Sequence, residues 1–336
     1  MVVIKRTIGL VGRFEENMVE AVRAVLPEDF SLVSIESPEQ REALGQIDYM
    51  ITRMMRIDQG VIDSAARLKL IQRWGVGYDK VDVTYATQKG IPVAISAGVN
   101  AASVSEHAVL LMLAVLRRLV EADGAVHQGL WADKSVLKNA GTIRGRTVGL
   151  LGFGNIAHMV AEKVSAFGAR VQYYDVVRAD PAVEERLHAS YVPFEELMAT
   201  SDIVSVHIPL LPQTAGMVDE KAIARMKPGA ILINTARGGI VDEDALARAL
   251  EEGRLRGAGL DTFAQEPPAA DSPLLRLKTV IATPHIGGTT DDNNTVCAQH
   301  CVENIAAVDA GRPLPPRDLI NPEYAAHEPE RTEPVR

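Results

Sequence analysis

Arg237, Glu266 and His285 fall in three short segments, INTARGGIVD (233–242), GLDTFAQEPP (259–268) and TPHIGGTT (283–290), each built on the end of an apolar run. Hydride chemistry on an oxo acid needs a cation for the substrate carboxylate, a donor to the carbonyl oxygen, and an acid/base that works near neutrality. The planar fork of Arg237 suits a carboxylate. His285 can give a proton during reduction and take one during oxidation, and a carboxylate such as Glu266 beside it stabilises the imidazolium. Singly, each residue has a blander reading: a surface ion pair, a Pro-His turn, a solvated loop. Together they sit where open α/β sheets bind ligands, at the carboxyl ends of strands. His107, His127, His158, His188 and His207 read by type and position as helix-face, surface or hydrogen-bonded core residues.

A second constellation lies upstream, in TVGLLGFGNIAHMVAEKVSAFGARVQYYD (147–175). It runs strand, Gly152-Phe153-Gly154-Asn155-Ile156-Ala157, helix, strand, acid. Gly152 permits a tight turn, Gly154 lets backbone approach a pyrophosphate at the helix amino terminus, and small Ala157 lets that helix pack against the strand. Asp175, 23 residues after Gly152, is placed to accept hydrogen bonds from the adenosine ribose. A 2′-phosphate there would meet a carboxylate, so the pattern favours NAD. Arg178 is the nearby cation that could turn toward such a phosphate. Gly75-Val76-Gly77 also follows a strand, but Lys80 stands three residues on and no acid-terminated strand follows at the right distance, so it does not read as a second nucleotide site. Its glycines still imply close backbone approach.

Elements that could position these residues alternate along the chain. Apolar strand-like runs at 2–11, 30–36, 48–52, 68–74 and 91–96 form one series, and 147–152, 169–175, 202–208, 230–235, 257–261 and 279–284 a second. Strands alternating with stretches of helical period predict an α/β protein with parallel sheets. Residues 101–119 form a helix apolar around most of its girth, as a helix packed on two sides should be. A further helix over 291–311 opens on Asp and Asn and stops at Gly311. The charged, proline-bearing tail from about 321 is expected to be loosely ordered.

At 336 residues the chain suggests two domains. Hydrophobic residues make up 47% and charged ones 24%, with no run of ~18 apolar residues, so no membrane span is expected. The amino terminus reads as a first strand rather than a signal peptide, and a cytoplasmic protein is the expectation. A net charge of −9 disfavours nucleic acid and anionic lipid as partners. Cys297 and Cys301 read as buried thiols rather than as a disulfide or a metal site.

The chain resembles the D-isomer-specific 2-hydroxyacid dehydrogenases, the family of phosphoglycerate, glyoxylate/hydroxypyruvate and D-lactate dehydrogenases. The resemblance covers about residues 45–315. It is most specific from VHIPLLPQTAGMVDEKAIARMKPGAILINTARGGIVDEDALARALEEGRLRGAGLDTFAQEPP through TPHIGGTT. It implies two doubly wound parallel-sheet domains: a Rossmann-type NAD domain, 101–286, inserted into a discontinuous flavodoxin-like substrate domain, 1–100 with 287–336. It implies that Arg237 binds the substrate carboxylate, that His285 is the acid/base, and that Glu266 is its partner. His207, Pro209, Thr235, Ala236, Asp261 and Gly287, with Arg237 and His285, would line the cofactor. Arg53, Trp74, Gly75, Val76, Gly77 and Asn100 would meet the substrate, and a homodimer would form through the cofactor domain, including the helix from 101.

Departures bear on the substrate. Ala157 stands where the family usually has Gly, and Met54 where phosphoglycerate dehydrogenases tend to carry a small polar residue; their frequent regulatory extension is not expected. A glyoxylate- or hydroxypyruvate-type oxo acid is therefore favoured over phosphoglycerate. Arg56 and Arg73 read as surface charges, the other reading being a second anion subsite. C-terminal binding proteins resemble the family too, so an NAD(H)-sensing corepressor is the non-enzymatic alternative. Glu266 argues against the formate dehydrogenases, which generally pair the histidine with a glutamine.

Overall fold

A computed structural model describes residues 5–131 and 140–327. The strands are β1 (Arg6–Val11), β2 (Phe30–Ile35), β3 (Tyr49–Thr52), β4 (Leu70–Arg73), β5 (Val93–Ala94), β6 (Thr147–Leu151), β7 (Arg170–Tyr174), β8 (Ala189–Tyr191), β9 (Ile203–Val206), β10 (Ile231–Asn234), β11 (Gly257–Leu260) and β12 (Val280–Ala282). The helices used below are α1 (Ala101–Arg117), α2 (Leu119–His127), α3 (Asn155–Ala166), α4 (Pro181–Leu187), α5 (Glu243–Glu251) and α6 (Asp291–Asp309). The chain divides into two compact units, residues 1–100 with 289–336 and residues 101–288.

In the first unit the parallel sheet runs β2-β1-β3-β4-β5. Both faces are covered, which is why its strands read as nearly unbroken apolar runs. Ile8, Leu10, Tyr49 and Ile51 join Cys297, Cys301 and Ile305 of α6 in one core, while Val11, Met50 and Ile71 join Ile57 and Ile62 in another. Alternation along each strand sends successive side chains to opposite cores.

The second unit holds a seven-stranded parallel sheet, ordered β12-β11-β10-β9-β6-β7-β8. Val204, Val206 and Leu232 pack with Leu246 and Leu250 of α5. Ile203, Ile231 and Ile233 pack on the other face with Leu111 and Met112 of α1 and Val160 and Val164 of α3. The two doubly wound parallel-sheet folds agree with the expectation.

Three local features differ from it. β8 is absent from the sequence reading because Ala-Ser-Tyr is too short and too polar for its period to register. The helix from 101 ends at Arg117, where Arg118 enters the left-handed region (φ 50°) and α2 begins in a new direction. The chain beyond 321 is not loose up to His327. Asn321 is fully buried, accepts from the Val93 amide (2.7 Å) and donates to Thr87 Oγ1 (2.9 Å) and the Ile91 carbonyl (3.0 Å). Leu319 bridges antiparallel to Ala94, so backbone pairing at the sheet edge outweighs the polar composition. The rest of the expected tail, 328–336, and residues 2–4 of the expected first strand lie outside the described residues.

Candidate active site

In the second unit the chain runs outward from β6 to β7 and β8, then returns to place β9 on the other side of β6. The crevice at that reversal, outside the carboxyl ends of β6 and β9, is where such sheets bind nucleotides. Gly152 makes the turn with φ 96°, and a Cβ there would stand 2.8 Å from the His207 carbonyl carbon. The loop after β9 thus presses directly on the glycine turn. Gly154 caps α3, and a Cβ built on it meets nothing within 4 Å, so the first-turn amides face open space. Ala157 is completely buried beneath them. Phe153 turns its ring inward onto Tyr173 (3.8 Å between centroids) and gives its amide to Asp175 Oδ2 (2.7 Å), so its ring is packed away and its amide is already bonded. Thr235 Oγ1, buried at the end of β10, has no hydrogen-bond partner among the described residues. An open helix amino terminus, an acid at the end of β7 and an orphaned hydroxyl suit a dinucleotide.

Arg178 is already committed. It forks onto Glu184 of α4 (2.9 and 2.8 Å), which also accepts from the Tyr173 hydroxyl (2.6 Å). Hydrogen bonds from Arg178 and then Tyr173 bring the Glu184 carboxyl down to about 2. His207 sits 2.9 Å from Ser205 Oγ, and desolvation pushes its imidazole down to about 4.

Glu266 and His285 are brought together, with Nδ1 of the imidazole 3.0 Å from both carboxylate oxygens. His285 occupies the left-handed region (φ 55°), a state that costs a branched-free L residue about 1–3 kcal/mol and persists where its surroundings enforce it. The enforcement comes from Asp261, 2% exposed at the end of β11. It accepts from Thr283 Oγ1 (2.6 Å), two residues before His285, and from the amides of Ile286 (2.9 Å) and Gly287 (2.9 Å), directly after it. Burial alone would raise this carboxyl, but hydrogen bonds from His107, Thr283, Ile286 and Gly287 hold it below the usual carboxylate value.

Arg237 leaves β10 through a turn organised by Asn234. The Asn234 side chain, buried at the strand end, accepts the Ala236 amide (3.0 Å) and donates to the Arg237 carbonyl (2.8 Å). This residue was missed from sequence, although an Asn two before a bonded amide is a recognised turn signal. The next residue couples the two loops: a Cβ on Gly238 would run into the backbone of Phe263 and Ala264. Glu243 of α5 accepts the Ala264 amide (2.5 Å) and the Phe263 amide reaches Glu266 Oε1 (3.3 Å). Arg237 and Glu266 are therefore set by the same backbone contact. Pro209 is exposed and Ala236 half-buried beside these turns.

In the first unit, Arg53 follows β3, half-buried, with its Nη1 toward the Arg13 carbonyl (3.4 Å), and burial lowers its guanidinium. Met54 beside it is left-handed (φ 53°) and 39% exposed. Trp74 stands edge-on to Phe14, and a Cβ on Gly75 would lie 4.0 Å from Asn100 Nδ2. Val76 and Gly77 are half-buried. Arg73 corrects the surface-charge reading: at 8% exposed, it clasps the loop through the carbonyls of Gly77 (2.6 Å) and Thr52 (2.8 Å). Arg56 is exposed.

Residues 109–287 match the family model described as D-isomer specific 2-hydroxyacid dehydrogenase, NAD binding domain. A glyoxylate reductase of Thermococcus litoralis is 39% identical over 294 residues, covering 86% of this chain and 88% of its own. A D-3-phosphoglycerate dehydrogenase of Mycobacterium leprae is 38% identical over 91% of this chain, which spans only 58% of that relative. Among solved structures, D-lactate dehydrogenase from Aquifex aeolicus, complexed with NAD and lactic acid, superposes with a TM-score of 0.81 at 30% identity, covering 90% of this chain and 96% of that one.

Proposed function

The chain belongs to the D-isomer specific 2-hydroxyacid dehydrogenases, whose cofactor is NAD, and from that premise we propose that it interconverts a small D-2-hydroxy acid and its 2-oxo acid, of glyoxylate or hydroxypyruvate type. The observation that carries the proposal is the Glu266–His285 pair, 3.0 Å apart and tied by backbone packing to the Arg237 turn. Glu266 holds Nδ1, so Nε2 is the ring atom that gives a proton to the carbonyl oxygen in reduction and recovers it in oxidation. Arg237 binds the carboxylate and polarises the carbonyl with one planar group. The turn at Gly152–Ala157 would hold the pyrophosphate and Asp175 the ribose, and bound NADH supplies the hydride.

Met54, an exposed apolar side chain beside Arg53, suits a short uncharged substituent better than a phosphate. Relatives named glyoxylate reductase (39%) and D-3-phosphoglycerate dehydrogenase (38%) are similar to the same degree, so the choice rests on Met54. The protein acts as a cytoplasmic homodimer: Leu119, Val120, Val126 and Trp131 (79% exposed) leave an apolar surface on and after α2 that a second copy would cover. Among the described residues no helix is long and apolar enough to cross a membrane.

NADH oxidation with glyoxylate, hydroxypyruvate, phenylpyruvate and 3-phosphohydroxypyruvate tests the reading. One of the first two should give the highest kcat/KM. A clear preference for 3-phosphohydroxypyruvate would overturn the choice of substrate, and no turnover with any of them the activity itself.

A further inference from the structure

The remaining polar cluster of the second unit centres on His107 of α1, a residue that sequence reading left among structural histidines. Its Nε2 lies 2.9 Å from Thr283 Oγ1 and 3.4 Å from Asp261 Oδ1, with its side chain 12% exposed. The direction of this chain follows from counting protons. Thr283 has one hydroxyl hydrogen, and it points to Asp261 at 2.6 Å, because an ionised carboxylate only accepts. The Thr283 oxygen must therefore accept from His107, which fixes the proton on Nε2. The chain runs His107 Nε2–H to Thr283 Oγ1–H to Asp261.

Further contacts carry that order to the site. Thr283 takes the His285 amide on its carbonyl (3.0 Å) and gives its own amide to Leu260 (2.9 Å). Asp261 takes the amides of Ile286 and Gly287. The His107 ring also backs directly on Gly287: a Cβ there would lie 3.3 Å from His107 Cδ2 and 3.0 Å from Asp261 Oδ2. His107 thus touches both ends of the 283–287 turn, whose centre is the left-handed His285.

We propose that His107 is a positioning residue for His285, fixing the turn that holds the acid/base imidazole against Glu266. The inference rests on the reading of His285 as the acid/base. Losing the His107 side chain removes one of the two bonds to the Thr283 hydroxyl and the ring packed on Gly287, and so loosens the turn. A displacement of about 1 Å at a reacting group is enough to cost roughly a hundredfold in rate.

The test uses the full-length protein with His107→Leu, His107→Gln, Thr283→Val and the His107→Leu/Thr283→Val double variant. The measurements are steady-state kinetics with the best oxo acid, NADH binding by fluorescence, and backbone hydrogen exchange over 283–288. His107→Leu should lower kcat by about ten- to a hundredfold while oxo-acid KM and NADH Kd stay within about threefold, and exchange over 283–288 should quicken. His107→Gln, which keeps an N–H donor near the Nε2 position, should recover most of both. The double variant should lose no more than the worse single one, because both act through one chain of bonds. Parent-like kcat and exchange in His107→Leu, no recovery in His107→Gln, or losses that multiply in the double variant would each overturn the proposal. If the parent protein reduces no oxo acid, the acid/base reading fails on its own, and exchange in His107→Leu still decides whether His107 holds the turn.

Discussion

Gly238→Ala isolates the contact that joins the loops carrying Arg237 and Glu266. The glycine is not in the left-handed region, so alanine meets no conformational objection there, and the whole effect must come from the added methyl group. That methyl would overlap the carbonyl carbon and oxygen of Phe263 and the amide nitrogen of Ala264. Carbon atoms rest at about 3.5–4.0 Å, so the 237–238 and 263–264 segments must part by more than about 1 Å. Glu266 lies two residues beyond and is bonded to the Phe263 amide (3.3 Å), so it moves with the segment, while Arg237 stays with β10. Overpacking of this kind costs about 1–3 kcal/mol of stability, or roughly 2–12 °C in Tm for a domain of this size. A shift of about 1 Å between Arg237 and the Glu266–His285 pair should lower kcat/KM roughly a hundredfold. The Gly152 turn lies elsewhere on the sheet, so the part of NADH binding carried by that turn should persist, and any loss of affinity should trace to residues 235–237. Kinetics with the best oxo acid, NADH fluorescence titration and a melting curve check all three. A Gly238→Ala protein with kcat/KM within about threefold of the parent would show that this backbone contact does not set the site.

Arg237→Lys should leave folding intact and lower kcat/KM sharply, because lysine keeps the charge but loses the fork that holds carboxylate and carbonyl together; near-parental kcat/KM in the purified variant would remove Arg237 from that role. Glu184→Gln should release Arg178 and raise kcat/KM with NADPH relative to NADH. With the Glu184 carboxyl at about 2, the latch is charged throughout the neutral range, so the parent's preference for NADH should be flat from pH 6 to 9; an NADPH-preferring parent would contradict both statements. His207, down at about 4 in the folded state, protonates in the unfolded chain near its ordinary 6.5. Its contribution to stability is present above 6.5 and is lost as pH falls toward 4, so Tm should drop less between pH 7 and 5 in His207→Gln than in the parent.

The parts of this molecule that are legible in the sequence are those whose physics is local. Strand and helix periods, the Gly152 turn and the acid at Asp175 all lie within one βαβ unit, where spacing along the chain is spacing in the fold. Glu266 and His285 were legible as types at strand ends, and family resemblance supplied their pairing. Asn234 was within reach of a local rule, since its side chain bonds its own turn.

His107 was not legible, and the reason is topological. Its partner Thr283 is 176 residues away, and nothing in a helix of alternating apolar and small residues says which histidine faces a buried carboxylate. Gly238 was invisible for a related reason: its value lies in an atom it lacks, against a backbone 25 residues downstream. Arg73 shows the same limit from the opposite side. Residue type alone favours an exposed arginine, yet a carbonyl oxygen at the end of β3 and another in the loop after β4 bind it in the interior. Sequence period therefore locates the strand ends from which Arg237, Glu266 and His285 leave their sheet, while the arrangement of those loops is set by buried polar atoms and close backbone contacts far apart in the chain. Substitutions that alter coupling without touching a reacting atom should accordingly fall at His107, Asn234, Gly238 and Asp261.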